Sequence, residues 1–306
     1  MPVGHWGLGV DDADVKNRVG VLGATSFVGA CLLPLLTEAR WQVTAFSRRA
    51  VGRLGDRVEW RQLAPSPPAP LPLAREEGVS FWVCVAPIWV LPDYFSLLDA
   101  QGARRVVVLS STSRFTKDDS TDPEEQAIAL RLTDAEALVQ EWAESREVEW
   151  VILRPTLIYG LGRDKNIAEI ARFIRRSGFF PVFGKANGLR QPIHAEDVAG
   201  ACLAALQTPC AANRAYNISG GETLTYRNMV ACVFSALGRP PRMLPVPLSA
   251  FRVAVALLRC LPRYRQWSAA MAERMSRDLV FDHAEAARDL GFKPRAFLLS
   301  AGDLPT

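Results

Sequence analysis

The stretch NRVGVLGATSFVGACLLPLLTE, Asn17 to Glu38, decides how this chain is read. NRVGVL (17–22) is a short apolar run that stops at Gly23, and FVGACLLPLLTE (27–38) has the composition of a helix. Between them Gly23-Ala24-Thr25-Ser26-Phe27-Val28-Gly29 supplies the small residues that let a backbone turn sharply from strand into helix. Such a turn presents free N–H groups at the start of a helix, where an anion, and a pyrophosphate above all, is held. Ser26 stands where the usual glycine pattern has its middle glycine. Pro34 falls in the third turn of this helix, where an interior proline costs about 3 kcal/mol unless the helix bends, so a bend is expected.

Working outward, further runs with strand character are WQVTAF (41–46), RVEWRQL (57–63), VSFWVCVA (79–86), ARRVVVLSS (103–111), VEWVILRP (148–155) and RAYNIS (214–219). Most are continuously apolar, as parallel strands covered on both faces are. Helical patterns lie between them at 90–101, 124–145, 166–177 and 195–206. Strand and helix in alternation predict a doubly wound parallel α/β sheet with right-handed crossovers. APSPPAPLP (64–72) carries five prolines and reads as an extended connector. After residue 220 the order turns helix-rich, consistent with a smaller lobe. The expected organisation is a dinucleotide-binding Rossmann domain, 16–165 and 193–220, with a mostly helical substrate lobe, 166–192 and 221–306.

Composition sets the outer limits. The 306 residues hold 36 Lys+Arg against 32 Asp+Glu, a net +4 that is too thin to imply nucleic acid as partner. The six cysteines never approach CxxC spacing, so neither a disulfide framework nor a metal site is expected. No signal-like leader and no uncharged apolar stretch of about 18 residues is present, which predicts a cytoplasmic protein. LSAFRVAVALLRCLPRYRQW (248–267) mixes apolar residues with four arginines; a helix packed on the lobe is the simpler reading, and contact with a membrane surface the alternative.

The basic set is lopsided: only five residues are Lys (16, 117, 165, 185 and 293), and there are only five Tyr (94, 159, 216, 226 and 264). The second strand, about 20 residues past the glycines, ends in Ser47-Arg48-Arg49 instead of the Asp or Glu that bonds the ribose 2′-hydroxyl of NAD. A hydroxyl and two guanidiniums suit the 2′-phosphate of NADP, so NADP is the expected cofactor ahead of NAD. The alternative is that the two arginines are solvated surface.

Taken together, GATSFVG, LSSTS (109–113), LRPTLIYG (153–160), RQPIHAEDVA (190–199), AYNISGGETLT (215–225) and FDHAEAARDLGFKPRAF (281–297) resemble an extended or atypical short-chain dehydrogenase/reductase of the NAD-dependent epimerase/dehydratase family. The resemblance implies cofactor contacts at Gly23, Thr25, Ser26, Phe27, Val28, Gly29, Ser47, Arg48, Arg49, Ala86, Pro87, Ser110, Pro155 and Thr156. It implies that Thr112 orients the reacting oxygen. It also implies a Tyr acting as acid/base with a Lys four residues later, and here the chain departs. The helix at 124–145 contains neither residue: Ile128 stands at the Tyr position and Leu132 at the Lys position when Glu136 is matched to the acidic residue that often follows. The residues four past each Tyr are Leu98, Arg163, Gly220, Val230 and Ser268, so Tyr-x-x-x-Lys occurs nowhere.

Tyr159 is therefore a catalytic candidate, with a packing aromatic as the alternative, and Asp164, Lys165 and His194 stand behind it. Arg190 matches a position that contacts the diphosphate of sugar nucleotides; a surface arginine is the alternative. The expectation is an NADP(H)-dependent epimerase/dehydratase-like oxidoreductase acting on a nucleotide sugar or a related polar or lipid-linked small molecule, as a possible homodimer. The competing expectation is a non-catalytic NADPH-binding scaffold or redox sensor.

Overall fold

In the computed structural model the described residues are 18–48, 57–63, 78–116, 122–247 and 274–305. The proline-rich connector, Arg49 and the 248–267 segment lie outside them. Seven parallel strands form one sheet: β1 (Arg18–Leu22), β2 (Gln42–Ser47), β3 (Val58–Gln62), β4 (Phe81–Cys84), β5 (Arg105–Leu109), β6 (Glu149–Pro155) and, across a longer excursion, an edge strand at Arg214–Ile218. Numbered by chain position, the order from one edge is 3-2-1-4-5-6 followed by that last strand. The reversal of direction falls between β1 and β4, which is where open α/β sheets place ligands, at the carboxyl ends of the strands.

The helices follow the expected alternation: α1 (Phe27–Glu38), α2 (Phe95–Ala100), α3 (Ser113–Thr116), α4 (Pro123–Ser145), α5 (Ile167–Ser177), α6 (Ala195–Gln207), α7 (Tyr226–Ala236) and α8 (Ala284–Leu290). α1 runs unbroken across Pro34, whose position is exposed. The helix expected at 90–101 is shorter than its pattern. Residues Ile88–Tyr94 form a 3₁₀ stretch and only Phe95–Ala100 is α-helical. Pro92 has no N–H to give, which favours the shorter-range turn over a regular start. α4 starts where its sequence dictates: the Asp122 carboxylate accepts from Glu124 N at 3.0 Å, Pro123 occupies the first turn, and Glu124 and Glu125 face the positive end of the helix dipole.

Continuous apolar strands give the sheet two buried faces. On one, Val21, Val43, Val83, Val107 and Val151 pack against α1 and α6. On the other, Phe46, Trp82, Val108 and Ile152 pack against α4 and the 3₁₀ stretch. A third cluster, with Ile170 and Ile174 of α5 and Val230 and Phe234 of α7, lies over the carboxyl side. It includes β7 (Phe180–Phe183), which pairs in parallel with Met243–Val246. No helix of the described residues is long and apolar enough to cross a membrane.

Candidate functional site

The phosphate turn is built as its sequence suggests. Gly23 sits at φ +80°, and a Cβ there would lie 2.5 Å from Ala86 N at the end of β4. Gly29 packs so closely under the turn that a Cβ would come within 2.4 Å of Ala24 O. Both glycines are thus required by close backbone approach, which seats the start of α1 against the ends of β1 and β4. Ser26 takes up the missing-glycine position as the helix cap, its Oγ accepting from Gly29 N at 3.0 Å. The N–H groups of Phe27 and Val28 belong to the first turn and have no partner within the helix. Thr25 is exposed at the tip of the turn and Val28 is buried beneath it. Ser47 is buried at the end of β2 and Arg48 is exposed just beyond it. Ala86 backs the turn while Pro87 is exposed on its rim. These positions fit a dinucleotide laid across the switch point.

A cleft of about 620 Å³ opens beside this turn, with Phe27 at one end and Ser110, Thr112, Pro155 and Thr156 along its floor. Thr112, only 6% exposed, donates its hydroxyl to Pro155 O at 3.2 Å while its own N–H bonds the same carbonyl at 3.1 Å. Its oxygen keeps lone pairs for a donor in the cleft. Thr156 spans to the neighbouring segment through Oγ1 on Gln191 O.

Ser110 is engaged inward: it bonds Glu136 Oε1 at 2.5 Å. Glu136, 1% exposed, is held by Arg154 Nη2 at 2.7 Å and by Arg114. Burial lowers the pKa of both guanidiniums from their ordinary values. This cluster fixes the floor of the cleft from beneath. On the same helix, Leu132 is buried, Ile128 is 37% exposed, and Arg131 stacks on Trp89 with its guanidinium carbon 4.6 Å from the ring centre. None of Ile128, Arg131 and Leu132 borders the cleft or moves a proton near neutral pH.

Tyr159 is not brought to the cleft. It lies wholly buried in the third hydrophobic cluster, edge-on to His194 and Phe297, with its hydroxyl 3.5 Å from Leu298 O. Burial pushes its pKa up to about 12, which keeps it a neutral packing aromatic. His194 caps α6 through Nδ1 on Glu196 N and ties Nε2 to Asp303 at 2.9 Å. Among the described residues, the titratable groups other than arginine that border the cleft are Asp164 and Lys165. Asp164 Oδ1 accepts from Asn166 N and Ala168 N to start α5, while its Oδ2 is buried with no hydrogen-bond partner among the described residues.

Arg190 borders both this cleft and a second cavity of about 650 Å³. The second cavity has apolar walls from Ile170, Phe173, Phe180 and Met229, with Lys165, Arg176, Arg172 paired to Glu169 at 2.7 Å, and Arg274 paired to Glu125 at 2.7 Å. Arg190 itself is 4% exposed and donates to three backbone carbonyls, of Leu189, Arg274 and Arg277. Burial lowers its pKa to about 10, so it is still a cation at neutral pH. Arg163 is a cleft residue absent from the sequence-derived set; the signal that marks it is the pair of glycines, Gly160 and Gly162, immediately before it.

Comparison with known proteins agrees with this geometry. Residues 94–219 match the NAD dependent epimerase/dehydratase family. The matched stretch runs from the 3₁₀ segment before α2 to the end of the edge strand at Arg214–Ile218. A UDP-glucose 4-epimerase of Vibrio cholerae is 24% identical over 314 residues, covering 92% of each chain. The mitochondrial NADH dehydrogenase 1 alpha subcomplex subunit 9 of Dictyostelium discoideum is 23% identical over 238 residues, 75% of this chain and 66% of that one. Among solved structures, MoeE5 in complex with UDP-glucose and NAD superimposes with a TM-score of 0.64 at 21% identity, over 92% of this chain and 94% of that chain. At that identity the likeness speaks for the fold.

Proposed function

We propose that this protein is an NAD(P)(H)-dependent, epimerase- or dehydratase-like oxidoreductase acting on a nucleotide sugar or a related anionic polar or lipid-linked small molecule, with NADP as the preferred cofactor. The observation that carries the reading is Thr112, oriented by Pro155 O, on the floor of a cleft that runs from the phosphate turn to a cation-lined second cavity. A nicotinamide bound along the strand ends supplies a hydride acceptor or donor. The chain's own residues do the rest: Thr112 orients the reacting oxygen, Asp164 and Lys165 are the cleft groups able to hold or move a proton, and Arg190 and Arg274 meet negative charge. UDP-glucose and NAD in MoeE5, and the activity named for the Vibrio cholerae relative, support the substrate class. Arg48 beside Ser47 supports NADP, because a guanidinium bonds a 2′-phosphate in the place where NAD enzymes carry a carboxylate.

The test is a titration with NADPH and NADH, followed by turnover of a UDP-sugar panel by wild type and Thr112→Ala. Tighter binding of NADPH, and a loss of about 10²-fold in kcat for Thr112→Ala at unchanged cofactor affinity, is the expected result. The second reading is a non-catalytic NADPH-binding scaffold, favoured by Ile128 and Leu132 at the acid/base positions and by the likeness to an NADH dehydrogenase subunit. Intact NADPH binding with no change in nicotinamide absorbance on any substrate decides for it.

A further inference from the structure

The backbone just after β6 is forced into an unusual path. Gly160, Leu161 and Gly162 have φ of +126°, +57° and +61°, three left-handed or mirror-region residues in a row. For Leu161, which carries a Cβ, that conformation costs about 1 to 2 kcal/mol. The surroundings hold it: a Cβ on Gly160 would lie 2.8 Å from His194 Nε2, one on Gly162 would lie 2.6 Å from Leu304 O, and Arg172 Nη2 bonds Gly162 O at 3.2 Å. The His194 to Asp303 bond locks the same corner. What this fixed arm delivers is Arg163, which reaches back across the cleft and places Nη2 3.0 Å from Thr25 O, at the tip of the phosphate turn.

Two features make this more than a tie between loops. The Arg163 guanidinium is exposed to the cleft and has further N–H donors beyond the one on Thr25. And the turn it reaches is short of a donor, because Ser26 Oγ occupies the N–H of Gly29. Resting on the reading of the turn as a dinucleotide site, we propose that Arg163 is a clamp for the cofactor diphosphate. Its free N–H groups close on the phosphate oxygens from the side opposite the helix N-terminus and supply the charge-assisted bonds that the Ser26 cap withholds.

The experiment compares ligands with and without the linking diphosphate. Calorimetric titration of wild type, Arg163→Ala and Arg163→Lys is carried out with NADPH, NADH, ADP-ribose and adenosine 2′-monophosphate. The last carries the adenosine and 2′-phosphate but neither phosphate of the linking diphosphate. The expected result for Arg163→Ala is a loss of about tenfold or more for NADPH, NADH and ADP-ribose, with adenosine 2′-monophosphate within about twofold of wild type. Arg163→Lys recovers part of the loss and keeps a steeper salt dependence than Arg163→Ala. Thermal melts of the apo proteins show whether the fold is intact. Equal loss for all four ligands, or none, overturns the clamp while leaving the cofactor site standing. Failure of the wild type to bind any dinucleotide overturns the cofactor reading and the clamp together.

Discussion

The β1–α1 turn lies beside the cleft and the middle of α4 lies behind its floor, and the two are built differently. At the turn every demand of the chemistry is met by backbone: Gly23 against Ala86, Gly29 against Ala24, and a capped helix start. Along α4 the acidic residue is kept and buried at Glu136, while the positions of the acid/base pair hold Ile128 and Leu132. Glu136, with Arg114, Arg154 and Ser110 on it, ties α4 to the end of β6 and to the segment after β5. Each of the two regions can therefore be probed without the other. The largest effect belongs to the α4 side. Glu136→Ala removes a buried carboxylate and leaves two partly buried guanidiniums without their shared partner, and is expected to cost about 3 to 5 kcal/mol in urea denaturation. Retention of wild-type stability would show that the cluster is not what fixes the floor of the cleft.

Next in size is an attempt to put the missing pair back. Leu132→Lys buries an ammonium in a position 3% exposed and removes a packed side chain, with an expected loss of about 2 to 5 kcal/mol. Ile128→Tyr, at a half-exposed position, changes stability by about 0.5 kcal/mol or less. If both substitutions are equally mild, α4 is rotated or looser than its packing implies. On the turn side, Gly29→Ala drives a Cβ into the Ala24 carbonyl and is expected to cost about 1 to 3 kcal/mol in stability. It also weakens dinucleotide binding, measured by NADPH fluorescence titration. Unchanged binding would mean that the turn absorbs the methyl group without moving the N–H groups at the start of α1.

The sheet and most helices were legible in the sequence because continuous apolar strands, glycine punctuation and helix caps act locally. The strands at 41–46, 57–63 and 148–155 and the helices at 27–38 and 124–145 fall within a residue or two of their patterns. Where local pattern misled, in the 90–101 helix, Pro92 overrode amphipathic spacing. Thr112, Ser110, Pro155 and Thr156 converge on the cleft because strand ends in a parallel sheet share one edge. Side chains on irregular segments were harder to place. Tyr159 turns inward because the lobe's aromatic cluster closes around it, and Arg190 is bound to a segment more than 80 residues further along the chain. Arg163 points at Thr25, 138 residues away, through a run of positive φ values that only two flanking glycines hint at.

The smallest expected effect tests the turn most closely. Ser26 replaces the middle glycine and spends its hydroxyl on Gly29 N, so the helix start is stabilised at the expense of one donor for an anion. Ser26→Gly removes the cap, yet glycine is itself tolerated at that position, so the loss of stability is expected to be only a few tenths of a kcal/mol. The N–H of Gly29 then joins those of Phe27 and Val28 as an unpaired donor of the first helical turn. Dinucleotide affinity should rise severalfold, by an amount consistent with one hydrogen bond to a charged group, while adenosine 2′-monophosphate is unaffected. In the Ser26→Gly background, Arg163→Ala should then cost less than it does in the wild type, because the two donors serve the same phosphate oxygens. Strict additivity of the two substitutions in a calorimetric double-mutant cycle would place Arg163 and the helix start on different parts of the ligand.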